Sequence, residues 1–222
     1  MYVSIISRPD IANAVRNMAK YSGRHHYVHM QLLKRILRYL SGTINHVLTY
    51  DGTTKESCLT MYADASFGDD PINGRSVTGL VLMLNGGAIM WRSSQQKFVA
   101  TCTAASELGA LSTGVDELMP IVSMLLELKL KVFLPPLLCG DNQASLRMGG
   151  SDVPTKKSKF MLVKHHNVKH AVTSGRVALK YVPTDEQIAD MCTKNLEEVK
   201  LTHFRLLAGI RKLGGVSESE GK

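Results

Sequence analysis

The chain has 222 residues, 44% of them hydrophobic, with a formal net charge of +8; that is enough apolar material for one domain of ordinary size plus an extension. Its uninterrupted apolar runs stop far short of the ~20 residues a membrane-spanning helix needs, and Met1–Pro9 lacks the basic and apolar regions of a signal peptide. Cys58, Cys102, Cys139 and Cys192 form no C-x-x-C pair, which argues against a zinc site or a disulfide framework and for reduced thiols in an intracellular protein, cytoplasmic or nuclear.

In chain order, Pro9 opens a helix that Gly23 can end, with Ile11, Ala14, Val15, Met18 and Ala19 on its apolar face. A second helix runs from about Tyr27 to Leu40, striped by Val28, Leu32, Leu33, Ile36, Leu37 and Leu40. From Cys58 the pattern turns to strands. Cys58–Phe67, Val77–Leu84 and Ala88–Ser93 form a meander, with a turn-rich loop at 68–74 and a tight turn at 85–87. A long helix follows from about Thr103 to Leu130, with Pro120 as a possible kink. Leu137–Cys139 is a fourth strand, and a short helix starts at Gln143. Lys156–Ser174 reads as a basic helical segment, Val177–Val182 as a fifth strand and Asp185–Leu213 as a closing helix or helix pair. The fold class is therefore mixed α/β, a five-stranded mixed sheet flanked by helices with an N-terminal helical extension.

Charge is unevenly spread along this order. Residues 1–60 hold 8 Lys/Arg against 3 Asp/Glu, residues 61–150 hold 6 against 8, and residues 151–222 hold 13 against 8. An acidic middle between basic flanks suits a protein that grips a phosphate backbone around a metal centre, although a solvated basic surface gives the same tally. Four acids stand out by their settings. Asp64 ends one apolar run and Asp141 another, Glu107 lies one turn into the long helix, and Asp190 lies at the start of the last helix. They can converge on one patch, and carboxylates so gathered repel each other unless a divalent metal balances them. The plainer alternatives are a strand-end turn or helix cap for Asp64 and Asp141, and a first-turn acid on the helix dipole for Asp190.

Seven stretches in order then carry a resemblance. They are Arg8-Pro-Asp-Ile11; Lys34-Arg-Ile-Leu-Arg-Tyr-Leu-Ser-Gly-Thr43; Tyr62-Ala-Asp-Ala-Ser66; Arg75-Ser-Val-Thr-Gly79; Gly87-Ala-Ile-Met-Trp91; Asp141-Asn-Gln-Ala144; and Tyr181-Val-Pro-Thr-Asp-Glu-Gln-Ile-Ala-Asp190. Together they resemble the ribonuclease H end of a copia-type LTR retrotransposon Pol polyprotein, with part of the tether that follows reverse transcriptase. The polar residues at the end read as a disordered tail over 215–222, and the resemblance implies a helical tether over 1–55 and a ribonuclease H-like domain over 56–214. It also implies hydrolysis of the RNA strand of an RNA–DNA hybrid with two Mg²⁺ ions about 4 Å apart, for which Mn²⁺ can substitute. Asp64 would bridge both ions, Glu107 and Asp141 would complete the leaving-group side, and Asp190 the side of the attacking water. Partners implied are the hybrid and a reverse-transcriptase domain; the N-terminal helices could alternatively self-associate.

For substrate contacts, Arg75, Ser76, Thr78, Ser93, Gln95, Asn142 and Gln143 are short polar or basic groups able to read 2′-hydroxyls across a shallow minor groove. Lys157 and Lys159 could bind phosphates of the DNA strand, or simply solvate a helix face. Trp91 reads as core. The chain also departs from the family. Ala105 replaces the first of two glutamates, leaving Glu107 as the ligand. Lys159-Phe-Met-Leu162 stands where Lys-His-Ile-Asp is usual, and the loop 183–187 has no histidine to help product leave. His165 and His170 read as exposed, His166 as packed or substrate-side. These changes keep open a second class, a repurposed nucleic-acid-binding or interaction module with little catalysis.

Overall fold

A computed structural model describes residues 1–52, 57–150 and 161–213. Its helices are α1 (Tyr2–Ile6), α2 (Ala12–Ala19), α3 (Tyr27–Gly42), α4 (Thr103–Glu127), α5 (Gln143–Gly150), α6 (Leu162–Thr173) and α7 (Glu198–Leu207). Its strands are β1 (His46–Leu48), β2 (Ser57–Ser66), β3 (Val77–Leu84), β4 (Gly87–Gln95), β5 (Val132–Gly140), β6 (Ala178–Tyr181) and β7 (Ile210–Lys212). Five strands form one sheet in the order β4-β3-β2-β5-β6. The meander β2-β3-β4 is antiparallel, and β5 and β6 add in parallel, as a helix crossover requires. This is the ribonuclease H-like mixed sheet that the resemblance implied.

Alternation along the strands builds two cores. On one face, Leu59, Met61, Ala63 and Ala65 of β2 and Leu80 and Leu82 of β3 pack with Leu108, Leu111, Val115 and Leu118 of α4 and Val168 of α6. On the other face, Val81 and Ala88 meet Ala12, Ile188, Met191, Cys192 and Phe204. By length and composition α4 is apolar enough to cross a bilayer, which run lengths alone did not show, but more than half of that stretch is buried in the domain. Pro120 lies inside α4 without splitting it.

Residues 1–52 are stitched to the second face. Arg8 makes a two-pronged ion pair with Asp10 (2.9 and 2.8 Å) and donates to the Thr43 hydroxyl at 2.7 Å. Tyr39 donates to the same carboxylate, and Arg205 of α7 donates to the Tyr39 hydroxyl at 3.2 Å. The first two resemblance stretches are thus halves of one buried polar network. Trp91 is half-buried and donates its ring N–H to Ser4 O. In α3, Val28, Leu32, Leu33 and Leu37 remain exposed.

Several sequence expectations are corrected. The helix expected from Pro9 is a 3₁₀ turn (Pro9–Ile11) followed by α2, and α1 precedes both. The closing helix expected over Asp185–Leu213 is a 3₁₀ turn (Ile188–Cys192), then α7, then β7, which pairs antiparallel with β1. A three-residue strand is too short to show alternation, so neither β1 nor β7 was legible. Strand β5 is longer than expected because Pro135 and Pro136 sit where its pairing with β2 shifts register between Cys58 and Thr60; proline is tolerated at such an irregularity. Within α6, His165 is buried rather than exposed, because it shares the inward face with Val168 and Ala171, while His166 and His170 are exposed, so His166 is not packed. Lys157, Lys159 and the tail over 215–222 lie outside the described residues.

Candidate metal centre

Strand β2 carries Asp64 between Ala63 and Ala65, which point to the α4 core; period-two alternation therefore aims Asp64 at the opposite face. Glu107 projects from the second turn of α4, where Ala105 and Leu108 anchor the helix in the core. Asp141 directly follows β5. One carboxylate oxygen from each of Asp64, Glu107 and Asp141 lies within 4.8 Å of the others. Asp64 and Glu107 are buried and Asp141 is half-exposed, so the cluster opens to solvent on the Asp141 side.

Asp190 enters from the other direction. It sits in the 3₁₀ turn, fully buried, and is joined to Asp64 by Lys194. The Lys194 ammonium lies 2.7 Å from Asp190 Oδ1 and 3.3 Å from Asp64 Oδ1, and Lys200 Nζ lies 2.9 Å from Asp190 Oδ2. Thr193 donates its hydroxyl to Asp64 Oδ2, and Thr184 donates to Asp141 Oδ2 at 3.0 Å. Gln187 Nε2 ties the approach to the turn back to Ala63 O at 3.0 Å.

The electrostatics are those of crowded acids. Burial pushes the Glu107 carboxyl up to about 9, with the charges of Asp64 and Asp141 adding to it. Burial raises Asp64 to about 6, opposed by Lys194 and reinforced by Asp190. Burial works against the Lys194 ammonium, but Asp64 and Asp190 more than offset it and hold its value above the ordinary one. The donor set is all carboxylate oxygen, which suits a hard divalent cation such as Mg²⁺, and the surplus negative charge that protonates Glu107 is what such a cation would balance. The residues present fit the ion.

Of the expected substrate groups, Asn142 and Gln143 directly follow Asp141. Gln143 is exposed, while the Asn142 side chain accepts from Ser145 N–H and begins α5. Arg75 is half-buried two residues before β3. Ser76 and Thr78 are buried and use their hydroxyls internally, Ser76 accepting from Gly68 N–H and Thr78 from Gln96. Ser93 bonds Cys192 O and Arg16, and Gln95 donates to Asp70 at 2.6 Å. Thr193, Lys194 and Lys200 were not singled out from sequence. Lys194 stands four residues after Asp190, an i,i+4 charge pair that a charge-pattern search can find; Lys200 offers no comparable local signal.

Gly79 shows why the turn can approach. It pairs with Asp64 across β2-β3, and a Cβ there would lie 2.7 Å from Ala189 O and 2.6 Å from Thr193 Cγ2. Backbone cannot yield cheaply, so Gly79→Ala is expected to cost about 1–3 kcal/mol and to push the Asp190 turn off the sheet. Urea unfolding checks this: a midpoint equal to the parent's would contradict the close approach.

A mixed sheet of this order, with carboxylates gathered at the ends of two adjacent strands, defines a ribonuclease H-like domain with a candidate divalent-cation centre. The chain's homologues include retrovirus-related Pol polyproteins of copia-type transposons, of whose length it spans only 14–16%. It is 30% identical over 208 residues to the retrovirus-related Pol polyprotein from transposon RE1 of Arabidopsis thaliana, a match covering 93% of this chain but only 14% of that polyprotein. A shorter stretch of 119 residues is 38% identical to secreted RxLR effector protein 161 of Plasmopara viticola, covering 53% of this chain and 82% of that protein. Among solved structures, LC11-RNase H1, isolated from compost, is similar with a TM-score of 0.48 at 16% identity, over 61% of this chain and 92% of that chain. No protein-family model matches.

Proposed function

We propose that the chain is a divalent-metal-dependent nuclease that hydrolyses the RNA strand of RNA–DNA hybrids. The observation that carries this reading is the convergence of Asp64, Glu107 and Asp141 within 4.8 Å, an all-oxygen donor set of the kind that metal-assisted phosphodiester hydrolysis needs. Bound Mg²⁺ supplies Lewis acidity to the scissile phosphate and lowers the pKa of a coordinated water. The chain's own groups do the rest. Asp64, Glu107 and Asp141 hold the cation, and the Thr193 and Thr184 hydroxyls fix the orientation of Asp64 and Asp141, as supporting contacts of metal ligands commonly do. Asp190 faces Asp64 across Lys194 and would complete a second ion site once Lys194 gives way. Gln143, exposed beside Asp141, and Arg75 just before β3 are the substrate contacts this reading retains at the surface.

The test is a labelled RNA–DNA hybrid incubated with the chain and Mg²⁺ or Mn²⁺, beside Asp141→Asn. Metal-dependent loss of the RNA strand, lowered on the order of 10²–10³-fold in the variant, is the expected result. Hybrid binding without cleavage, unchanged by the substitution, would overturn it in favour of a binding module. The pairing of both Asp190 oxygens with lysines is the observation that favours that second reading.

A further inference from the structure

The chain places a cation of its own between two of the acids. The side chains of Asp64 and Asp190 are 1% and 0% exposed, and both face Lys194 Nζ; Lys200 reaches only Asp190. Two buried carboxylates turned toward one point repel each other unless positive charge lies between them. Lys194 supplies it from a backbone position fixed by the turn itself, since Lys194 N–H donates to Asp190 O at 2.9 Å. Its side chain is 37% exposed, so the four-carbon stem has a route to solvent. The Asp64–Glu107–Asp141 side of the cluster differs, because its three ligand atoms already lie within reach of one ion.

Resting on the metal-site reading above, we infer that Lys194 is a positioning residue that stands in for a divalent cation between Asp64 and Asp190 and orders the loading of the site. A first ion enters at Asp64, Glu107 and Asp141. A second enters only when the Lys194 ammonium withdraws from between Asp64 and Asp190. One side chain thereby does two things. It keeps the buried aspartates together when divalent ions are scarce, and it sets a higher ion concentration for the second site than for the first.

Two measurements on the full chain, neither needing cleavage, test this on Lys194→Met, with Lys200→Met as the control that leaves the Asp64 contact intact. In thermal unfolding with EDTA, Lys194→Met is expected to melt roughly 5–10 °C below the parent, with millimolar Mn²⁺ closing most of the gap. In calorimetric titration with Mn²⁺ alone, the parent is expected to show one tighter and one weaker ion. Lys194→Met should tighten the weaker one by about tenfold, whereas Lys200→Met, which loses a contact with Asp190 alone, should tighten it by only about two- to threefold and leave the tighter one as it is. If Lys194→Met is folded only with Mn²⁺, that dependence supports the inference; if it is folded under neither condition, Lys194→Gln takes its place. Equal melting in EDTA and equal Mn²⁺ affinities for Lys194→Met and parent would overturn the role of Lys194 while leaving the metal site standing. An identical shift in Lys200→Met would also overturn it, as a general charge effect. Absence of Mn²⁺ binding in every form would instead remove the metal-site reading itself.

Discussion

Asp64→Asn is expected to lower Mg²⁺-dependent cleavage of an RNA–DNA hybrid on the order of 10³-fold or more while leaving a folded chain. Asp64 is the acid that both halves of the cluster share. It lies within ligand distance of Glu107 and Asp141 and faces Asp190 across Lys194. Asparagine keeps the shape and one acceptor oxygen but removes the charge that draws a hard cation. The fold has reasons to survive the change. Asparagine can still accept from the Thr193 hydroxyl, which now bonds Asp64 Oδ2. The lost attraction to Lys194 is offset by relief of repulsion from Asp190 and Asp141, and Lys194 keeps Asp190 as a partner. Cleavage rates at saturating Mg²⁺, paired with near-native circular dichroism and melting, separate the two effects. A variant that cleaves within tenfold of the parent would show that the cluster is not where the chemistry occurs.

What could be read from the chain without its structure follows from how far each signal reaches. The meander β2-β3-β4, α3 and α4 showed themselves because each repeats its period over eight residues or more. Asp64, Glu107 and Asp141 could be placed because each lies at a strand end or in the early turns of such an element. Asp190 was expected in a helix and sits instead in a short 3₁₀ turn, held against β3 by contacts 110 or more residues distant, such as Cys192 Sγ to Leu80 O. No local pattern encodes that docking; the sparse sign of it is Gly79, whose missing Cβ makes room. The inward turn of Ser76 and Thr78 follows from strand register, which a motif match does not report. Lys200 lies ten residues from Asp190 and reaches it only because α7 folds back over the turn.

Glu107 connects stability, pH and metal, and its substitution is the second large effect. In the folded chain, burial and then the charges of Asp64 and Asp141 push its carboxyl up to about 9 from an ordinary 4.5. Without a divalent cation the folded state therefore holds a proton that the unfolded chain releases. A group raised in this way contributes most stability below its unfolded value and loses it as pH climbs through the folded one. Asp64, raised to about 6, acts in the same direction at the acid end of the window. In EDTA the urea midpoint should fall between about pH 5 and pH 9. Mg²⁺ should cancel much of that fall, because binding needs the ionised carboxylate and displaces its proton, so that affinity for the ion rises with pH. Glu107→Gln has no proton to lose at this position. At pH 8 in EDTA it is expected to be more stable than the parent by on the order of 1–3 kcal/mol, with a shallower pH slope, while cleavage drops on the order of 10²–10³-fold. Subtracting the variant's profile from the parent's isolates this group from every other one that contributes to the pH dependence. A parent midpoint that rises with pH, or identical slopes for the two chains, would mean that Glu107 does not carry the strain that the cation is proposed to relieve.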